Sequence, residues 1–253
     1  MASKYIALPK GVSEKAFDAA VKEFRRIVGA GNVLTEAEDL APYIKVMMPV
    51  PDADHTASAA IMATTVEQIQ GILKVCNKHK VPIWTVSTGK NLGYGSAAPA
   101  ERGQVVLDLH RMNRILEVNG DLCYALVEPG VTYRQLYDYF QEHQLPLWLS
   151  VPAPSAIASP TGNTLDRGVG YTPYGEHFMN ACGMEVVLAN GEILRTAMGG
   201  LPKIQYLANL QVGIRPVSRR DLYPVELRDR DQIWLLASAG AAGVQTVHDS
   251  ISE

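Results

Sequence analysis

No C-x-x-C pair, no block of Lys and Arg, and no apolar run near the about 20 residues of a membrane span occurs in this chain of 253 residues. Each absence excludes something. Cys76, Cys123 and Cys182 stand far apart in apolar neighbourhoods, which reads as three buried free thiols, with a metal or redox role as the alternative. With a net charge of -3 and no basic stretch, nothing attracts a nucleic-acid backbone or an anionic membrane, so neither is expected as a partner. "MASKYIALPKGVSEKAF" lacks the apolar core of a signal peptide. That leaves the location open between the cytoplasm and the periplasm in company with an exported partner.

What is present is a mixed α/β pattern. The chain is 47% hydrophobic and 19% charged, enough for one large domain or two smaller ones with a real core. "SEKAFDAAVKEFRRIVG" predicts an amphipathic helix capped by Ser13, with Phe17, Ala20, Val21, Phe24, Ile27 and Val28 on one face and Gly29 closing it. A strand near Ala59 to Ala63, a helix from about Thr65 to His79 and a strand from Val81 to Val86 follow as a βαβ unit. "GQVVLDL", "RILEVNG" and "LCYALVEPG" read as short strands, and a helix begins at Thr132. From Val151 to Gly175 the chain turns irregular, rich in Pro, Gly and Ser, as ligand-binding walls are. "VVLANGEIL" then carries Asn190-Gly191 between two apolar runs, a hairpin signal.

The βαβ unit ends in "WTVSTGKNLGYGSAAP". Its spacing is G-x-x-x-G-x-G, so it is not a Rossmann fingerprint, and Lys90 follows the first glycine rather than the last, so it is not a Walker A loop. The pattern alone leaves two readings open, a tight structural turn and a cradle of backbone N–H groups for an anion.

Taken with "ALVEPGVTYRQLYDY", "PSAIASPTGNTLDRGVGYTPYGEH" and "VVLANGEILRT" downstream, the loop resembles the FAD-binding domain of the vanillyl-alcohol oxidase and p-cresol methylhydroxylase family, and within it the 4-cresol dehydrogenase branch, from about Tyr43 to Gly200. The resemblance implies FAD as cofactor. It implies that Ser87, Thr88, Gly89, Lys90, Asn91, Leu92 and Gly93, with Gly95 in the same loop, wrap the FAD pyrophosphate. In the family an Arg often stands where this chain has Lys90, a change that keeps the charge and loses a bidentate fork. Tyr94 would be catalytic, holding a phenolic oxygen as phenolate while hydride leaves the benzylic carbon; the plainer reading is a packed aromatic. Glu128 and Gly130 would lie beside the adenosine part, or simply form a turn ahead of a helix. Pro154, Ser155, Gly162, Asn163, Gly168, Gly170, Tyr171, Tyr174 and Gly175 would line the flavin, Ser155 nearest its reacting edge. His177 and the pair Asp166-Arg167 look catalytic in isolation; the plainer reading is that they order this segment through hydrogen bonds and a local salt bridge. His55 stands near where some relatives carry a histidine that assists flavin attachment.

By the same resemblance the fold is α/β (α+β) in two lobes, a small βαβ-containing lobe to about Val86 and a larger, mixed, mainly antiparallel lobe, with FAD between them. The implied reaction is oxidation of a 4-alkylphenol to a quinone methide that water then hydroxylates. The partners would be a phenolic substrate, a small c-type cytochrome taking the electrons, and a second copy of the intact protein in a homodimer. The alternatives are an oxidase of vanillyl alcohol or eugenol using oxygen, and a non-catalytic FAD-binding fragment or pseudogene product.

The resemblance stops after "LRTAMGGLP". Codons exist for Ile204 to Ala208 that read Ser-Asn-Thr-Trp when one base is dropped. Those for Tyr223 to Asp231 can likewise hide Thr-Gln-Ser-Asn-Leu-Gly-Ile-Val, the family's next motif, and those for Ile233 to Ala239 can hide Phe-Gly-Phe-Trp-Leu-Leu. The expected organisation is a helical segment at 1–42, an incomplete FAD-binding domain of the p-cresol methylhydroxylase type at 43–202, and a tail at 203–253 translated out of frame. The family's substrate cap is not expected within these residues.

Overall fold

The computed structural model describes residues 3–92, 96–173, 175–196 and the backbone of 234–240. The first helix, α1 (Glu14–Val28), starts where the Ser13 hydroxyl accepts from the Ala16 N–H at 3.3 Å and ends at Gly29, φ +89°. Strand β1 (Val33–Leu34) and the short α2 (Ala37–Leu40) follow. After β2 (Ala59–Met62), Thr65 caps α3 (Val66–His79) through the Gln68 N–H; then come β3 (Ile83–Val86) and β4 (Val105–Asp108).

These strands form one sheet in the order β1-β2-β4-β3, antiparallel only at β1. The expected β-α-β succession is present, but its two strands are not neighbours: β4 lies between them. Val105, Val106 and Leu107 are fully buried, an unbroken apolar run of the kind that the centre of a parallel sheet requires. The small lobe therefore extends past Val86 to Asp108. α1 and α3 pack together, and Phe17, Phe24, Ile61, Ile69, Ile72 and Leu107 join one core without solvent exposure.

The larger lobe begins with the hairpin β5 (Ile115–Asn119) and β6 (Tyr124–Val127). Helix α4 (Tyr133–Glu142) opens on a capping box in which Thr132 and Gln135 satisfy each other's backbone N–H groups. Leu136 and Phe140 bury against Ala125, Val127 and Val131. A further helix, α5 (Pro160–Leu165), then the hairpin β7 (Ala181–Val187) and β8 (Ile193–Arg195), and finally β9 (Trp234–Gly240) complete it. The sheet order is β5-β6-β9-β7-β8, with β9 parallel to both neighbours and antiparallel hairpins outside it. Asn190-Gly191 does turn a hairpin, through a loop closed by Leu188 N–H donating to the Glu192 carbonyl at 2.8 Å, with Gly191 at φ +86°.

Two elements depart from the sequence reading. α5 lies inside the stretch expected to be irregular; its signal was Ser159 as N-cap with Pro160 in the first turn. β9 lies within the tail, where no element was expected, and parallel partners flank it on both sides. The three cysteines form no disulfide, but only Cys76 and Cys123 are buried, and Cys182 is partly exposed.

Candidate functional site

The chain leaves β3 as a bare loop because Ser87, Thr88 and Gly89 cannot extend the apolar strand. Gly89 sits at φ +64°, and a Cβ there would lie 2.6 Å from Ala97 Cβ. The backbone N–H groups of Thr88, Gly89, Lys90 and Asn91 donate to no described residue. Successive unpaired N–H groups with an exposed Lys among them form a concavity suited to an anion.

That loop is one wall of a cleft of about 510 Å³, within the usual range for ligand sites. The opposite wall is α5 and the chain on either side of it. At Gly162 the walls touch: a Cβ would stand 2.2 Å from Ser87 Oγ. Further along, Asn91 Nδ2 donates to Asp166 Oδ2 at 2.9 Å. Thr161, which lines the cleft, carries a buried hydroxyl with no partner among the described residues. Behind this wall His177 is buried between Asn163, whose Oδ1 bonds its Nδ1, and Ser150, whose Oγ lies 2.9 Å from its Nε2. Burial holds the imidazole pKa below its ordinary value, against a smaller opposing pull from the Glu176 carboxylate.

The cleft gathers Ser87, Thr88, Gly89, Lys90, Asn91 and Leu92 from the loop, and Pro154, Gly162, Asn163, Gly168 and Tyr171 from the far wall. Gly170 and Gly175 stand behind it and face each other, a Cβ on Gly175 falling 2.3 Å from the Gly170 carbonyl oxygen. Glu128 is turned away: its buried carboxylate accepts from the Arg114 backbone N–H at 2.8 Å and from the guanidinium at 2.6 and 2.9 Å. Gly130 allows close approach to the Leu109 and His110 carbonyls, and Pro129 between them reaches the cleft. Ser155 begins a short 3-10 turn, Ser155–Ile157. Gly93, Tyr94, Gly95 and Tyr174 lie outside the described residues.

The expected Asp166-Arg167 salt bridge does not form. Asp166 is taken by Asn91, and the Arg167 guanidinium lies over the Phe178 ring at 4.5 Å. His55 Nδ1 meets the Pro99 carbonyl at 2.9 Å, and the residue does not line the cleft. Thr161, Ser159 and Asp166 are cleft residues that the sequence reading did not assign; the Ser-Pro helix start would have placed the first two. Among the described residues no cluster of three or more His, Cys, Asp and Glu could hold a metal ion. The unpaired N–H groups, Lys90 and the orphan Thr161 hydroxyl fit the diphosphate of the expected FAD.

A family model described as an FAD binding domain matches residues 57–197. The chain is 65% identical over 195 residues to the 4-cresol dehydrogenase (hydroxylating) flavoprotein subunit of Pseudomonas putida, covering 77% of this chain and 37% of that protein. The crystal structure of p-cresol methylhydroxylase with substrate bound superposes with a TM-score of 0.76 at 64% identity, over 78% of this chain and 38% of that one. The 4-ethylphenol oxidase of Gulosibacter chungangensis, in its isoeugenol complex, gives 0.74 at 40% identity, over 87% and 40%. The chain thus spans well under half the length of the curated relatives it matches.

Proposed function

This chain belongs to the family of FAD binding domains, and from that membership we propose that it is the cofactor-holding part of a flavoprotein that oxidises 4-alkylphenols such as 4-cresol. FAD is the cofactor. When bound it supplies the acceptor for the hydride lost by the substrate, water then completing the hydroxylation. The observation that carries the reading is the run of unpaired N–H groups from Thr88 to Asn91. They and Lys90 meet the two phosphate charges, and the wall from Pro152 to Pro154 and from Gly162 to Tyr171 covers the flavin and keeps water from it. Tyr94 holds the phenolic oxygen as its anion, a role supported by the family resemblance of "GYG".

The Pseudomonas putida relative is a flavoprotein subunit, which supports a partner that removes electrons; we assign that place to a small c-type cytochrome. The 4-ethylphenol oxidase supports a second reading, transfer to oxygen, and its lower identity, 40% against 64%, puts it behind. The cofactor unit is assigned to 43–202, with support from a family match that ends at 197, and 203–253 to an out-of-frame tail. These residues on their own are expected to bind FAD weakly and to turn over no phenol.

Titration of the chain with FAD tests the assignment. Quenching of flavin fluorescence is expected, weakened by Lys90→Ala and made less sensitive to salt in that variant. Absence of saturable quenching in the wild-type chain refutes it.

A further inference from the structure

The G-V-G triplet at 168–170 is bare for the sake of neighbouring atoms rather than for a turn. Neither glycine has a positive φ. A Cβ on Gly168 would fall 2.0 Å from Asn163 Nδ2, and one on Gly170 would fall 2.3 Å from Ser150 Oγ and 2.6 Å from His177 Nε2. Both glycines thus make room for a single chain of polar side chains running from behind the cleft to its lining.

The chain has a direction. Thr172 Oγ1 donates to Ser150 Oγ at 2.9 Å, and Ser150 Oγ lies 2.9 Å from His177 Nε2. On the other edge of the ring, Nδ1 bonds Asn163 Oδ1. With the amide oxygen turned to Nδ1, as in this structure, the oxygen can only accept, and Nδ1 then carries the proton while Nε2 accepts from the Ser150 hydroxyl. His177 is 3% exposed and Ser150 7%, so water does not compete for either bond. With Oδ1 engaged, the Asn163 amide nitrogen takes the opposite side, next to Gly168. It has no partner among the described residues, and both Asn163 and Gly168 line the cleft.

We propose that His177 is a positioning residue for the cofactor: as its Nδ1–H tautomer, backed by Ser150, it fixes the Asn163 amide with the NH2 group toward the cleft, where that group donates to FAD. The proposal rests on the reading of this cleft as the FAD site. Rotating the amide by half a turn would present a carbonyl oxygen to a ligand rich in acceptors, so the ring selects the productive orientation. The G-V-G glycines are required because any side chain at 168 would cover the donor, and any at 170 would displace the ring that aims it.

The test uses the full chain and FAD alone. His177→Gln keeps a polar group on the Ser150 side and removes the donor to Asn163; His177→Asn keeps a donor near the Nδ1 position. Expected are an about tenfold weaker FAD dissociation constant for His177→Gln and for Asn163→Ala, the size of one lost hydrogen bond, and recovery to within about threefold in His177→Asn. Because His177 acts through Asn163, the double variant His177→Gln/Asn163→Ala should bind no more weakly than Asn163→Ala alone. Additive losses, or unchanged affinity in His177→Gln, overturn the proposal while the cofactor reading stands. Wild-type chain that takes up no FAD overturns both. Nitrogen-15 NMR of the wild-type histidine rings gives a readout that needs no variant to fold: a proton on Nδ1 of His177 supports the assignment, and a proton on Nε2 with bare Nδ1 overturns it.

Discussion

Replacing Gly89 by Ala measures how tightly the loop after β3 is specified. Two penalties act at once. The φ of +64° is a conformation that disfavours a Cβ by about 1–2 kcal/mol. The new Cβ would also stand 2.6 Å from Ala97 Cβ and 3.3 Å from Ala97 Cα, against an ordinary carbon contact of about 3.5–4.0 Å, so the turn carrying Ala97 must retreat by roughly 1 Å. Overpacking of that size costs about 1–3 kcal/mol. The sum is about 2–5 kcal/mol, or roughly 4–20 °C in Tm for a domain of this size. Urea unfolding followed by tryptophan fluorescence gives the free energy, and FAD titration gives the effect on the displaced N–H groups. The two penalties separate in a double-mutant cycle: Ala97→Gly in the Gly89→Ala background should return the overpacking part and leave the backbone part. A Gly89→Ala change below about 0.5 kcal/mol, or no recovery from Ala97→Gly, would refute the reasoning.

Acid should weaken the fold through His177. In the unfolded chain it takes a proton near pH 6.5; in the folded chain burial holds its pKa lower. The unfolded state therefore binds the extra proton first, and stability, full above about pH 6.5, falls as pH drops from there through the folded pKa. Thermal melts at pH 7 and pH 5 should show a drop that is smaller in His177→Asn, and equal drops in both would remove His177 as the cause. Thiol labelling of the native chain should reach Cys182 ahead of Cys76, which is buried with its thiol pKa pushed up to about 12 by desolvation; equal rates would place Cys76 at the surface. Resequencing the source DNA from the codon of Arg195 past that of Glu253 should show Ser-Asn-Thr-Trp, Thr-Gln-Ser-Asn-Leu-Gly-Ile-Val and Phe-Gly-Phe-Trp-Leu-Leu encoded one base out of register with the tail, and DNA that encodes none of them in any frame would refute the frame assignment.

The small lobe was legible because its signals are local. Ser13 and Thr65 cap their helices as hydroxyl residues ahead of apolar periodicity, and Gly29 closes the first one. Strand neighbours were not legible, since nothing in "VVLD" says that it inserts between β2 and β3; that is decided by burial on both faces. The loop at 87–92 was found from its glycines, whereas the far wall needed the third dimension. Gly168 and Gly170 look like flexible punctuation in sequence, and only in space do they prove to be clearance for Asn163, Ser150 and His177. Asp166 and Arg167 mislead for the opposite reason. Adjacent opposite charges suggest a pair, but successive residues after a helix point apart, and each found a partner elsewhere.

The width of the cleft is set away from the cleft. Val187, the last residue of β7 in the larger sheet, is fully buried and belongs to the small lobe's core, beside α3. The turn that follows it presents the Ala189 carbonyl to Asn77 Nδ2 at 2.7 Å and the Gly191 carbonyl to Gln70 Nε2 at 2.5 Å, both on α3. One lobe is thus plugged into the back of the other, while Gly162 and Ser87 meet at the cleft itself. The backbone donors of the loop already face Asn163 and Thr161 across the cleft, so affinity follows from bonds made to donors in place.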